Sequence, residues 1–136
     1  MGPGWGVATA PWYTARMAER RLISSGSAFE PKVGYSRAIR IGDAIFVSGT
    51  VGDGADVYEQ SKAAIATIEA ALHEAGASLD DVVRTRIFVT NIDDWQLVAR
   101  AHREAFGEIL PACSMLEVSR LIAPQYLVEI EADALV

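Results

Sequence analysis

The sequence contains few of the side chains that form disulfide bonds or bind metals. Cys113 is the only cysteine, and the two histidines are His73 and His102. One cysteine cannot form an intrachain disulfide or a Cys-based zinc site. The two histidines cannot supply a facial metal triad alone, and we expect both to be packed or exposed on helices. P-loop, Rossmann, zincin and serine-hydrolase motifs are also absent, so we expect no metal and no cofactor.

Positive charge and long apolar runs are also scarce. The chain has 12 Lys and Arg against 18 Asp and Glu, a net charge of -6. Binding to nucleic acid needs a basic surface, so we expect no nucleic-acid partner. No run of about 18 apolar residues predicts a membrane helix. Residues 1–16 lack the cationic start and apolar stretch of a signal peptide. These absences predict a cytoplasmic protein with no membrane partner.

The composition is that of a globular domain. The chain has 136 residues, of which 51% are hydrophobic and 22% are charged, which excludes a disordered chain. A single domain is the usual arrangement at this length. Residues 1–16 are rich in Gly, Pro and Trp and show no periodicity. We therefore predict a flexible N-terminal extension, 1–16, followed by one domain, 17–136.

Several segments carry strand signals. Residues 20–24 are predicted to form a short edge strand, and residues 26–34 a turn-rich connection. Between residues 36 and 50, two β-prone runs flank Gly42 and Asp43, a pair that suits the positive φ angles of a tight hairpin. Three further strands are predicted over residues 83–91, 115–120 and 127–136.

Two segments have the period of an amphipathic helix. Over residues 58–75, apolar side chains recur at spacings of three and four, and Gly76 lies where a left-handed C-cap is expected. The second helix is predicted to begin after an N-cap at Asp93, with Gln96 completing a capping box, and to end near Glu108. The predicted order β-β-α-β-α-β-β gives an α+β fold, in which a mixed sheet carries two helices on one face.

The other face of this sheet has a mixed character. In the last strand Glu129, Glu131 and Asp133 alternate away from the helix side, and Arg84 and Arg86 share that face. One interpretation is a solvated face with weak surface ion pairs. The other is an oligomer in which these faces pack together, which we favour because large apolar side chains lie among the charges. They are Phe46, Phe88, Leu127 and Leu135.

A few residues suggest a binding site, each with a plainer alternative. Ser48, Gly49 and Thr50 end the hairpin, where a glycine would let a ligand approach the backbone, although an ordinary strand end explains the same pattern. Tyr35 is either a ligand-facing phenol or a half-buried aromatic residue. Cys113 is either a small buried hydrophobic residue or a residue at the edge of a cleft.

Four stretches together resemble the RidA (YjgF) family of reactive intermediate deaminases. They are GYSRAIRIGDAIFVSGT from Gly34, AGASLDDVVRTRIFVTNIDDW from Ala75, PACSMLEVSRL from Pro111 and LVEIEADALV from Leu127. The resemblance extends over about residues 22–136. It implies a chorismate-mutase-like fold and a homotrimer, with the sheets lining a central barrel and three clefts between subunits.

The resemblance also implies an activity and a set of site residues. Family members hydrolyse 2-imines or 2-enamines of amino acids to a 2-keto acid and ammonia. Glu129 matches the family glutamate that helps to position water, and Tyr35, Ser48 and Gly49 match residues that line the cleft. The family arginine that binds the substrate carboxylate stands in a P-A-R-S/T pattern. Cys113 replaces that arginine here, before Ser114.

The missing arginine divides the candidate functions. A bidentate Arg–carboxylate contact contributes roughly 1.5–3 kcal/mol, so its loss weakens binding of a carboxylate at least about tenfold. Arg86 or Arg120 is a candidate substitute cation. We therefore keep two main hypotheses, an imine or enamine hydrolase and a non-catalytic trimer that binds or senses a small metabolite. An endoribonuclease is a third hypothesis, which the net charge disfavours.

Overall fold

The computed structural model describes residues 20–136, which form a six-stranded mixed sheet with the helices on one face. The sheet order is β1-β2-β3-β6-β4-β5, and within it the β4–β5 pair is parallel. This architecture confirms the predicted α+β class, whereas the predicted extension, 1–16, lies outside the described residues. The strands are β1 (Arg21–Ile23), β2 (Ala38–Ile41), β3 (Ala44–Thr50), β4 (Val82–Val89), β5 (Ala112–Glu117) and β6 (Val128–Leu135), and the helices are α1 (Phe29–Val33), α2 (Val57–Glu74) and α3 (Trp95–Phe106).

The hairpin and the edge strand lie where the sequence predicts them. Ile41 pairs with Ala44, so Gly42 and Asp43 form a two-residue loop. Gly42 has a φ of 57°, a conformation that a glycine adopts without steric cost. β1 pairs with β2 at the edge of the sheet.

α2 packs against the sheet through the apolar stripe that its period predicts. Ile65, Ile68 and Leu72 on this stripe are all buried. The helix ends in a Schellman motif, in which Gly76 has a φ of 85° and the N–H of Ala77 donates to the carbonyl of Leu72 at 2.8 Å. Within residues 20–136, no helix is long and apolar enough to cross a membrane.

Two local predictions were wrong at helix starts. The segment 26–34, predicted as a turn, contains α1, and Pro31 is tolerated there because it lies in the first turn. α3 begins at Trp95 without a side-chain cap and not after a capping box at Asp93. The side chain of Asn91 accepts a hydrogen bond from the backbone N–H of Asp93 at 3.0 Å and starts a 3₁₀ turn two residues earlier.

β5 begins earlier than predicted. It spans Ala112–Glu117 and not residues 115–120, because it pairs in parallel with β4 along its whole length. This pairing places Cys113 within a strand, beside Thr85 of β4.

The sheet face opposite the helices has the predicted mixed character. Along β6 the helix-side residues are buried, and the carboxylates alternate with them on the other side. Nη1 of Arg86 lies 3.2 Å from carboxylate oxygens of both Glu131 and Asp133. Large apolar side chains on this face are exposed in the single copy: Leu22, Phe46, Leu116 and Leu135. Assembly through this face remains a prediction.

Candidate functional site

A cavity of about 830 Å³ opens beside the end of β3, bordered by the segment from β1 to α1 and by β6. Four of the residues predicted from sequence line it, namely Tyr35, Ser48, Gly49 and Glu129. The fold therefore brings together two sequence segments that are about eighty residues apart.

Glu129 lies directly against the backbone of Gly49. The pairing of β3 with β6 shifts register between Val47 and Thr50, so the strand is irregular at this point. A Cβ atom added at Gly49 would lie 2.6 Å from Oε2 of Glu129, closer than real contacts allow. The absence of a side chain at Gly49 thus allows the Glu129 carboxyl group to occupy this position.

The environment of Glu129 changes its acidity. Burial raises the pKa of this half-buried carboxyl group, the nearby carboxylate of Glu131 raises it further, and the Arg37 guanidinium lowers it, with a net rise. A carboxylate with a raised pKa is a stronger base, and a larger fraction of it is protonated as the pH approaches that pKa, so it is better matched to both accepting and supplying a proton near neutrality. Glu129 is therefore suited to exchange protons with water or a ligand in the cavity.

Arg37 is the site residue that the sequence analysis missed. Its side chain is buried, with 5% exposure. Nη1 donates to the carbonyl of Gly49 at 2.7 Å and to the hydroxyl of Thr50 at 3.0 Å, and Nη2 donates to the hydroxyl of Tyr35 at 3.0 Å. Arg37 therefore fixes both the end of β3 and the Tyr35 hydroxyl, which keeps its own proton for a ligand.

A buried carboxylate supports Arg37 from behind. Oε2 of Glu30, in α1, lies 4.0 Å from Nε of Arg37 and accepts hydrogen bonds from the Ser25 hydroxyl at 2.6 Å and the Ser27 N–H at 3.3 Å. Burial alone would raise the pKa of Glu30, but hydrogen bonds from neighbouring serines outweigh it and lower the pKa. The unpredicted helix α1 thus anchors the charge of Arg37.

Cys113 and Ser114 do not line this cavity in a single copy. β5 is separated from β6 by β4, which places it about 10 Å away across the sheet. Cys113 is exposed and lines a different cavity, of about 320 Å³, together with His102. Burial lowers the pKa of His102, whose Nε2 lies 2.9 Å from the hydroxyl of Thr85.

The two candidate substitute cations also lie elsewhere. Arg86 is engaged by Glu131 and Asp133, and Arg120 follows β5 on the exposed connection to β6. Among the described residues that line the cavity, Arg37 is the one Lys or Arg side chain. Within residues 20–136, no group of three or more His, Cys, Asp or Glu side chains is arranged to hold a metal ion.

Comparison with known proteins identifies the family of this chain. Residues 25–136 match the family model described as Endoribonuclease L-PSP. The crystal structure of Rv2704 from Mycobacterium tuberculosis, a member of the YjgF/YER057c/UK114 family, is 57% identical with a TM-score of 0.85, over 86% of this chain and 99% of that one.

Two further relatives carry informative names. A RutC family protein from Pyrococcus abyssi is 38% identical over 85% of this chain and 96% of its own. A 2-iminobutanoate/2-iminopropanoate deaminase from Dermatophagoides farinae is 27% identical over 77% of this chain and 88% of its own. These matches confirm the resemblance inferred from the sequence: the chain belongs to the RidA (YjgF/RutC) family.

Proposed function

We propose that this chain hydrolyses reactive imines or enamines to a carbonyl product and ammonia, with Glu129 positioning the attacking water. The observation that carries the proposal is a half-buried carboxyl group with a raised pKa, held against the bare backbone of Gly49 in an open cavity. The name of the mite relative, an iminobutanoate and iminopropanoate deaminase, supports the same class of reaction.

The chemistry requires water to add to the imine carbon and the tetrahedral adduct to expel ammonia. The Glu129 carboxylate would accept a proton from the water as its oxygen bonds to carbon. The proton then passes to the nitrogen, so that ammonia leaves while the carbonyl group forms. The Tyr35 hydroxyl, held by Arg37, is placed to donate a hydrogen bond to the ligand and orient it.

The proposal includes a cleft formed between copies, as in the homotrimers of the family. In one copy the cavity is open, and Cys113 and Ser114 lie at the far edge of the sheet. Exposed apolar side chains on the face opposite the helices, such as Phe46, favour a packed neighbour. That neighbour would supply Cys113 and Ser114 to the cavity of the first copy.

Activity on 2-imino acids should be weak in this chain. Cys113 stands where the family pattern has the arginine that binds the substrate carboxylate, and a thiol offers no bidentate charged contact. The proposed reaction is therefore hydrolysis of the imine or enamine group itself, whether or not the substrate carries a carboxylate.

The test generates an imino acid in situ with an amino-acid oxidase and follows release of the keto acid. We expect a slow rate for the native chain, a rise of at least about tenfold for Cys113→Arg, and loss of both rates on adding Glu129→Ala. Glu69→Gln is the matched control, because Glu69 lies in α2, away from the face opposite the helices, and does not line the cavity. A correctly folded Cys113→Arg trimer with no gain in rate would contradict the proposal.

A non-catalytic trimer that binds or senses a small metabolite is the second candidate, and the missing arginine favours it. Saturable binding of a small amine or imine analogue, with no carbonyl release by any variant, would establish it. The endoribonuclease activity named by the family model is disfavoured, because the net charge is -6 and three carboxyl groups line the cavity.

A further inference from the structure

The charged side chains around the cavity are mostly negative. Asp53, Glu129 and Glu131 line it, and Arg37 is the one cationic side chain among the described lining residues. Glu131 forms an ion pair with Arg86, which also pairs with Asp133. Glu129 forms no ion pair within residues 20–136. The cavity therefore contains an unpaired carboxyl group that a ligand can contact.

The charge of Arg37 is committed to the protein. Four of the five N–H groups of its guanidinium donate within the fold, from Nε to Ser25, from Nη1 to Gly49 and Thr50, and from Nη2 to Tyr35. The carboxylate of Glu30 stands 4.0 Å from Nε. One free N–H cannot form the bidentate pair by which an arginine recognises a carboxylate.

We propose that the cavity selects small organic cations, namely iminium ions derived from amines, over imines that carry a carboxylate. The inference rests on the proposed imine hydrolysis and names the substrate class of that same site. The step is balanced as R₂C=NH₂⁺ + H₂O → R₂C=O + NH₄⁺. The water oxygen bonds to carbon, the C–N bond breaks, and nitrogen leaves with both protons of the water, so the products are an aldehyde or ketone and an ammonium ion.

The preference follows from the charges that each ligand would meet. The carboxylate of a ligand would lie near the carboxylates of Glu129 and Glu131, which repel it. It would meet no free guanidinium group, because Cys113 stands where the family pattern has its arginine. An iminium ion brings its positive charge to the carboxylate that must exchange a proton with its nitrogen. In a partly buried cavity such charge pairs are screened less than on an open surface.

Three stable compounds of nearly equal shape test this inference. Propionamidine, propionamide and propionate have the same carbon skeleton and a planar head group, and they are positive, neutral and negative at neutral pH. Binding to the assembled wild-type protein is measured by titration calorimetry. We expect propionamidine to bind at least about tenfold more tightly than propionate. Equal binding of the two, tighter binding of propionate, or no detectable binding of propionamidine would overturn the inference.

Matched variants assign the preference to the cavity. Glu129→Gln should reduce the affinity for propionamidine about tenfold and leave propionamide nearly unchanged. Glu69→Gln, on α2 and outside the cavity, should leave both affinities unchanged. Equal losses of propionamidine affinity in the two variants would overturn the inference. Such losses would depend on the net charge of the protein and not on the carboxylate in the cavity.

A turnover measurement separates this inference from the proposed function. An amine oxidase supplies the carboxylate-free imine, and an amino-acid oxidase supplies the imino acid. Selective binding of propionamidine with no acceleration of either hydrolysis would defeat the proposed function and leave the charge preference standing. Faster hydrolysis of the imino acid together with tighter binding of propionate would support the proposed function and defeat the charge preference.

Discussion

The contact between Gly49 and Glu129 shows how the absence of a side chain at one residue lets the carboxyl group of another lie against the backbone. A Cβ atom at residue 49 would meet Oε2 and Cδ of Glu129 at 2.6 and 2.8 Å. These atoms end a flexible side chain, so the carboxylate can move away at little cost to the fold.

Gly49→Ala should therefore separate activity from stability. We expect the free energy of unfolding to change by about 1 kcal/mol or less, and hydrolysis to fall about a hundredfold because the carboxylate is displaced. Urea unfolding and the carbonyl-release assay measure the two effects. The double variant Gly49→Ala with Glu129→Ala should be no less active than Glu129→Ala alone, and additive losses would contradict the account.

Glu129 should also reduce stability at neutral pH. Burial and the Glu131 carboxylate raise its pKa in the folded state, so the deprotonated group favours the unfolded chain. Glu129→Gln should therefore be more stable than wild type at pH 7. The gain should shrink as pH falls through the raised pKa and disappear below the ordinary carboxyl value of 4.5. Urea unfolding against pH measures this, with Glu69→Gln as the control because Glu69 forms no ion pair within residues 20–136. An unchanged stability of Glu129→Gln at pH 7 would refute the account.

At this scale the sequence analysis named some of the residues that line the cavity and missed Arg37 for a physical reason. Tyr35, Gly49 and Glu129 occupy positions with recognisable motif neighbours. Arg37 acquires its role only when the β1–α1 segment and the end of β3 converge on its guanidinium, and no local pattern reports such convergence.

At the scale of elements, α1 and the hairpin are joined by the buried contact of Glu30 with Arg37. Removing one member leaves the other charge buried and partly unpaired, which is costly. The exposed contacts of Arg86 with β6 should contribute far less, because solvent screens them.

Arg37→Ala should lower the free energy of unfolding by about 2–4 kcal/mol, and Arg86→Ala by less than about 1 kcal/mol. Urea unfolding of the two variants beside wild type provides the comparison. Similar losses in both variants would show that the buried contact does not anchor α1.

The long elements were predictable and the short ones were not. α2 and β6 repeat their apolar period often enough to identify both the element and its buried face. α1 spans five residues and α3 is preceded by a turn that Asn91 starts with one hydrogen bond. The position of such a short helix or turn depends on one or two hydrogen bonds, and the spacing of apolar residues gives no information about them.

At the scale of the whole molecule, one sheet face exposes large apolar side chains in a single copy. Phe46 is 50% exposed and Leu135 is 56% exposed, on the same face as the paired charges of β4 and β6. Burying these side chains against other copies gives a favourable free energy of association, and the charge pairs would set the register.

Phe46→Glu should therefore prevent assembly without unfolding the chain. The substitution places a carboxylate opposite Asp133, in a face that must lose water on association. Circular dichroism should be unchanged while the sedimenting mass falls to that of one copy. Leu97→Glu, at an exposed position of α3 on the helix side of the sheet, is the control and should assemble normally.

Sedimentation equilibrium of the wild-type protein at working concentration tests the central claim most directly, because the proposed cleft needs a second copy to close it. The account predicts a particle of three copies, each of 14.6 kDa. A single species of 14.6 kDa would contradict it and leave the cavity beside Glu129 open to solvent.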